Sequence, residues 1–368
     1  MTWSAFHSES EMLAIEAQLA SRERNHDLAL DLYRRAADAE RRALALLGAD
    51  KVRTKAITAV SAVALCFKAR EYAAAEQLAH EMLADISLPD FARADLRNLV
   101  QAIWTEAAKE SAGVSFLAGQ VTVSVKGGEV VTGGAPLDLI VEKVQTIQSL
   151  FYRTIEYLQG ASHRRRGRPP KEIQDACRPW LFQAAPGSYQ FAVAIQKPAQ
   201  SDFFKEDMEP ERVADHFMEV VGASASEDTA RMESLVPDPA YRSTFLKLTR
   251  NLAPTGKAFE AIELRGAGES RPVSLGVEAR VNIRRALKTE RVEPDGTAVT
   301  SEELRGTLRA VHLDKDWLDV LVDGVPTHIV GLEDEIDDVI GPMVNKQVVV
   351  RVTRSGKSLR YVDIELAE

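Results

Sequence analysis

Residues 304–366 read LRGTLRAVHLDKDWLDVLVDGVPTHIVGLEDEIDDVIGPMVNKQVVVRVTRSGKSLRYVDIEL. Alternating apolar and polar residues predict strands over Leu304–His312, Trp317–Val322 and Thr327–Val330. A short acidic helix follows at Glu333–Ile340. Strands over Gln347–Thr353 and Leu359–Leu366 close the set, turning at Ser355-Gly356-Lys357. Gly306, Gly331 and Gly341 stand where such strands bend or change direction. Working outward, residues 302–368 form one expected domain, and the polar, turn-rich VEPDGTAVTSE at 291–301 is its linker.

The order strand, strand, strand, helix, strand, strand resembles an OB-like small β-barrel. Barrels of this kind often bind nucleic acid, so charge arbitrates. Residues 302–368 hold 8 Lys and Arg against 14 Asp and Glu, which gives 8 − 14 = −6. Only Trp317 and Tyr361 offer aromatic platforms for stacking. Arg351, Arg354, Lys357 and Arg360 make a small basic patch around the last hairpin. A solvated or intramolecular face is the expectation for that patch.

Residues 1–111 carry an almost unbroken helical period, with helices expected near 8–22, 26–47, 51–69, 72–86 and 90–111. In NHDLALDLYRRAA, His26, Ala29, Tyr33 and Ala36 take the spacing of the second helix of a tetratricopeptide repeat. Tyr72, Ala75 and Ala79 in EYAAAEQLAHEML do the same, and Pro89 follows. The block resembles that repeat, although Val63 stands where its first helix expects glycine. The resemblance implies close-packed helical hairpins and a protein-binding surface. Stacked units need about three repeats or a neighbour that caps them.

Residues 112–290 change character and read as a central α+β domain. Val121–Val125 alternates as a strand, and Gly127-Gly128 is expected to turn it back into Glu129–Thr132. Leu137, Ile140, Val141, Val144, Ile147, Phe151, Ile155 and Leu158 lay an apolar stripe along a long helix that Gly160 ends. Tyr189–Ile195 reads as a strand. Helices are expected near 209–222, 226–236, 239–252 and 276–288, with strands at Lys257–Leu264 and Pro272–Leu275. The fold class is therefore multidomain α+β: a helical hairpin block, a central α+β domain and a C-terminal small barrel.

Inside the central domain a basic loop, residues 161–171, contains RRRGRPPK. Arg164, Arg165, Arg166, Arg168 and Lys171 put five cations into eight residues. Pro169 and Pro170 hold the segment extended. Arg166-Gly167-Arg168-Pro169 resembles the AT-hook, which implies insertion of arginines into narrow A·T-rich minor grooves. Arg164, Arg165, Arg166, Gly167, Arg168, Pro169 and Lys171 are the candidate nucleic-acid contacts. A solvated loop or an intramolecular anion clamp is the competing reading, and the net charge of −9 lacks the basic balance of a dedicated DNA binder.

The remaining chemistry is sparse. Of 368 residues, 45% are hydrophobic and 27% charged, which is globular composition. Two distant cysteines, Cys66 and Cys177, fit a reducing cytoplasm rather than a disulfide framework. MTWSAFHSESEM has no secretory pattern, and no apolar run suits a membrane helix. His80-Glu81 lacks the second histidine of a zinc motif, because Ala84 occupies its place. Asp215-His216 is expected as a helix face rather than a ligand pair. Pro254-Thr255-Gly256-Lys257 is not a P-loop, and Cys177 reads as a structural thiol despite the nearby basic loop. No catalytic, cofactor or metal residues assemble. A weak enzymatic possibility centres on Arg178, Ser188 and Tyr189. The leading expectation is a cytoplasmic adaptor without catalytic activity that binds other proteins through its helices. The alternative is a DNA-associated regulator that contacts double-stranded DNA through RRRGRPPK.

Overall fold

The computed structural model describes all residues except 1, 24, 112–115, 118, 132–133, 183–188, 200–211, 267–271, 291–300, 334, 357 and 368. The chain is mixed α and β, and its contacts divide into two units: Met1–Val114 with Phe182–Gly187, and Ser115–Leu181 with Ser188–Glu368.

The first unit is helical. It comprises α1 (Trp3–Arg22), α2 (His26–Ala45), α3 (Val52–Lys68), α4 (Tyr72–Leu83) and α5 (Asp90–Ser111). Thr2 and Asn25 cap α1 and α2 by accepting from Ala5 N and Leu28 N. Each helix packs on the next, and α3 also packs on α5. Small residues make this closeness possible, since Ala17, Ala36, Ala43, Ala59, Ala75 and Ala79 are all fully buried. Tyr33 and Tyr72 pack against this core from partly buried positions, and Phe67 meets Tyr72 at 5.9 Å between ring centroids. Replacing Ala75, which has no exposed surface, with leucine overpacks the helix contact. The expected loss is about 1–3 kcal/mol. Thermal denaturation of Ala75→Leu checks it, and an unchanged Tm would contradict the close packing.

The second unit begins with β1 (Val121–Lys126), α6 (Leu137–Leu158), α7 (Lys171–Ala176), β2 (Pro179–Phe182) and β3 (Tyr189–Ile195). It continues with α8 (Val213–Ala225), α9 (Thr229–Leu235), α10 (Pro239–Leu252), β4 (Ala261–Gly266), β5 (Val273–Leu275) and α11 (Val277–Glu290). The five strands form one sheet in the order β2-β3-β1-β4-β5. The expected hairpin between 121–125 and 129–132 does not form. Strand β1 lies between β3 and β4, antiparallel to both, so neither edge is open to a return strand. Past Gly127 and Gly128, Glu129 N instead donates to Ala258 O at 2.9 Å. An added Cβ at Gly128 would come 2.4 Å from Ala258 O, which with its φ of +64° explains the glycine.

The barrel comprises β6 (Ser301–His312), β7 (Trp317–Val322), β8 (Val325–Val330), α12 (Asp337–Ile340), β9 (Gln347–Ser355) and β10 (Ser358–Leu366). It closes in the order β10-β8-β7-β6-β9, with β10 parallel to β8 and the other neighbours antiparallel. The acidic helix is shorter than expected, since only 337–340 is helical. Gly306 of β6 lies against β7, and a Cβ there would meet Leu321 O at 2.3 Å. A backbone carbonyl cannot swing aside as a side chain can. Gly306→Ala is therefore expected to lower the melting temperature by several degrees, read by circular dichroism, as overpacking of about 1–3 kcal/mol does.

One buried cluster runs from the sheet into the barrel. It includes Phe151, Phe217, Phe245 and Ile283 beside Leu308, Val320, Val350 and Ile364. Residues 291–300 of the expected linker lie outside the described residues.

Candidate functional site

The basic loop is positioned by the end of α6. Gly160, at φ +62°, stops the helix, and Gly160 N and Ala161 N bond back to Tyr157 O and Glu156 O. The loop then crosses the rim of the barrel. Tyr241 of α10 donates its hydroxyl to Ala161 O at 3.1 Å, and His163 Nε2 meets Thr244 Oγ1 at 2.8 Å.

The arginines that follow face acids and carbonyls of the barrel. Arg164 Nε donates to Glu156 Oε1 and Nη2 to Asp338 Oδ2, both at 3.0 Å. Arg153, with no exposed surface, reaches the same Asp338 oxygen at 2.7 Å and Glu156 at 3.4 Å. Two guanidinium groups and two carboxylates thus balance within one cluster. Arg165 pairs with Asp316 and also donates to Leu332 O at 2.6 Å and Glu335 O at 3.2 Å. Its own carbonyl accepts from Asp337 N at 3.0 Å, and Gly167 N donates to Asp337 Oδ2 at 3.3 Å. Arg166 pairs with Asp314, both side chains being exposed. Arg168 and Lys171 are exposed and make no ion pair among the described residues, and Pro169 O accepts from Gln174 at 2.6 Å.

The seven candidate contacts therefore do not share one outward surface. Arg164 and Arg165 turn inward against the barrel, Arg166 meets a surface acid, and Gly167, Arg168 and Lys171 stay outside. This is the geometry of an intramolecular clamp.

The same pattern repeats on the neighbouring helices. Arg250 of α10, fully buried, holds Asp363 of β10 in a two-pronged pair at 2.6 and 3.1 Å and donates to Ile364 O at 2.7 Å. Arg280 and Arg284 of α11 reach Glu365 at 3.2 and 2.7 Å. Lys247 meets Glu335 at 3.1 Å, and Tyr361 donates its hydroxyl to the same carboxylate. Burial penalises the charge of Glu365, yet Arg250, Arg284 and Arg280 together hold its carboxyl below the usual range. Asp338, Glu335, Asp363 and Glu365 of the barrel are thus turned toward cations of α6, α10 and α11. Sequence reasoning missed Arg153, Lys247, Arg250 and Arg280, because a cation on a helix looks the same in sequence whether it faces solvent or a buried acid.

The other barrel features are also spoken for. Arg351 lies within 3.6 Å of Glu303 and Asp363, Arg354 pairs with Glu302 at 2.8 Å, and Arg360 lies 3.7 Å from Glu333. The Lys357 side chain is outside the described residues. Tyr361 is buried and engaged, so it offers no face to a nucleic-acid base. Trp317 lies between His312 and His328, with ring centroids 5.6 and 5.3 Å away.

Reactive groups elsewhere are muted. Cys177 is buried among apolar side chains, and burial pushes its thiol up to about 12, which disfavours a thiolate beside the basic loop. Ser188 lies outside the described residues, so the constellation of Arg178, Ser188 and Tyr189 is not described as a site. His216 stacks on Tyr157 at 5.7 Å and lies 4.0 Å from Glu219, as a packed helix residue does. Among the described residues no group of three or more His, Cys, Asp or Glu side chains is placed to hold a metal ion. No helix among them is long and apolar enough to cross a membrane.

His163 and His216 confer a pH dependence. Burial lowers both below the ordinary 6.5; Arg153 adds to the effect at His163, and Glu219 partly opposes it at His216. The unfolded chain takes up protons near pH 6.5, whereas the folded chain resists until lower pH. Unfolding therefore binds protons, and the stability present above 6.5 is lost as pH falls below it. The Tm of this unit is expected to drop between pH 7.5 and 5.5, and His216→Phe is expected to shallow that drop.

No family model matches the chain, no curated protein matches it and no solved structure matches it.

Proposed function

We propose that this chain is an adaptor without catalytic activity that binds other proteins through its N-terminal helices. One observation carries this reading. Sixteen large apolar side chains are exposed on the described residues, and eight of them (Met12, Ile15, Leu19, Leu28, Leu46, Ile57, Ile86 and Phe91) lie on the helical unit, less than a third of the chain. Concentrated exposed apolar surface marks interaction sites. The alanine-lined packing of α3 on α4 supports reading these helices as tetratricopeptide-like hairpins. The connectivity of the barrel supports an OB-like assignment, and its exposed acids, Glu303, Asp314 and Glu333 among them, offer a second docking surface. The two buried free cysteines suit a reducing compartment. Affinity capture of the full chain from its host, with and without nuclease, tests the reading. Partners that survive nuclease support it, and their complete absence would refute it.

The alternative, a DNA-associated regulator, keeps one supporting observation: Arg168 and Lys171 remain exposed beside an open Gly167. Contact through these two cations alone would give a salt slope of only about −2. The adaptor reading expects no duplex binding at physiological salt and no A·T preference. Titrating wild type and Arg166→Ala/Arg168→Ala against A·T-rich and G·C-rich duplexes separates the two. Tight A·T-selective binding that the double variant loses would favour DNA.

A further inference from the structure

Helix α1 has two apolar faces. Leu13, Ala17 and Ala20 are buried in the core of the first unit. Met12, Ile15 and Leu19 point away from it and are 61%, 59% and 52% exposed. At 3.6 residues per turn these two sets lie on roughly opposite sides of the helix. The outer face of α1 is an apolar ridge.

The ridge has a register. Ala5, Ser8, Met12, Ile15 and Leu19 recur at alternating intervals of three and four, the spacing of a coiled-coil seam. All five are at the exposed side of the helix. A seam of this form is matched by a second helix, whose side chains insert between its residues. The flanks of the seam decide which helix. Glu9 and Glu16 line one side and Glu11 the other, and all three are exposed. A second copy of α1, parallel or antiparallel, would set glutamate against glutamate along both flanks, and such like-charge pairs disfavour association. A helix with lysine or arginine at the flanking positions would meet opposite charge at Glu9, Glu11 and Glu16.

We infer that the outer face of α1 docks an amphipathic helix of a partner protein, with an apolar stripe of three-four spacing and basic flanks. The inference rests on the adaptor reading and gives the partner its chemistry. The apolar stripe supplies affinity, while the glutamates select the partner and reject self-pairing.

Three synthetic three-heptad peptides test this against the full chain by fluorescence anisotropy. The first has leucine in the seam and lysine in the flanks. The second keeps the leucines but has glutamate flanks, and the third keeps the lysines but has serine in the seam. The first is expected to bind at least tenfold more tightly than either of the others. Ile15→Ser/Leu19→Ser is expected to weaken it tenfold or more with unchanged Tm, because both residues are exposed in the free chain. Glu9→Gln/Glu16→Gln is expected to weaken it and flatten its salt dependence. Equal binding of all three peptides would overturn the inference, as would full binding by the serine variant. Self-association in sedimentation that the serine variant abolishes would assign the face to a second copy instead. The adaptor reading fails separately. If nuclease-resistant partners are captured equally by wild type and the serine variant, that reading stands and the docking face lies elsewhere. If neither captures any, the adaptor reading itself is lost.

Discussion

Arg250→Ala is expected to be among the most damaging single substitutions in this chain. Arg250 has no exposed surface, and its guanidinium makes both prongs of its pair with Asp363 as well as a bond to Ile364 O. Burial disfavours its charge, but Asp363, Glu365 and Tyr361 outweigh that cost and raise its pKa above the ordinary guanidinium value. Truncation takes the two-pronged partner from Asp363, leaving Arg351 3.6 Å away, in a site that water scarcely reaches, and opens a cavity. Breaking a buried pair from one side costs about 3–5 kcal/mol. Chemical denaturation, followed through the fluorescence of Trp180 and Trp317, reads the loss. Removing both charges differs in kind. Arg250→Met/Asp363→Leu removes both members of the two-pronged pair, while Arg351 keeps Glu303 and Glu365 nearby, and is expected to recover most of the stability, as apolar replacement of a whole buried pair commonly does. If the double variant is as unstable as Arg250→Ala, the cost lies in packing and in the Ile364 bond rather than in the carboxylate that lost its two-pronged partner.

Local pattern made much of the fold legible, and non-local pairing hid the rest. Strands Tyr189–Ile195 and Trp317–Val322 and helix Pro239–Leu252 take the expected bounds. Their signals are internal: apolar alternation in the strands, and for the helix Asp238 accepting from Ala240 N and Tyr241 N ahead of a first-turn proline. The Gly127-Gly128 turn was visible in the sequence, but its destination was not. Whether the chain folds back on β1 or crosses to Ala258 depends on which strands claim the edges of β1, and these lie some 70 and 140 residues downstream. Pro179–Phe182 is too short to declare itself, and its leading proline argues against a strand. The candidate site shows the same limit. RRRGRPPK announces charge but not its counterpart, since Arg165 and Asp316 are 151 residues apart. Arg250 and Asp363, 113 apart, have no marker at all. A motif read from eight residues describes what the segment could grip, while the acids supplied by the barrel determine what it does grip.

That competition yields the second large effect. Asp338 is a carboxylate that Arg153 and Arg164 share, and among the described residues no other acid except Glu156 serves the pair. Asp338→Ala leaves two guanidinium groups facing one carboxylate, with Arg153 fully buried. Asp338 and Arg164 keep some contact with water, their side chains being 17% and 14% exposed. The expected loss therefore sits at the low end for a broken buried pair, about 3 kcal/mol. Arg164→Ala added to Asp338→Ala restores the balance of one cation to one acid, so the double variant is expected to be more stable than Asp338→Ala alone. A non-additive cycle of this sign would identify the loop as a clamp. The same substitution bears on function. Freed from Asp338, Arg164 can swing outward to join Arg168 and Lys171, and duplex affinity at low salt is expected to rise with a steeper salt slope. Wild type, with Arg164, Arg165 and Arg166 occupied, is expected to stay weak under the same titration. If wild type already binds duplex as steeply as Asp338→Ala, the barrel's carboxylates do not restrain the arginines, and RRRGRPPK is an open basic contact.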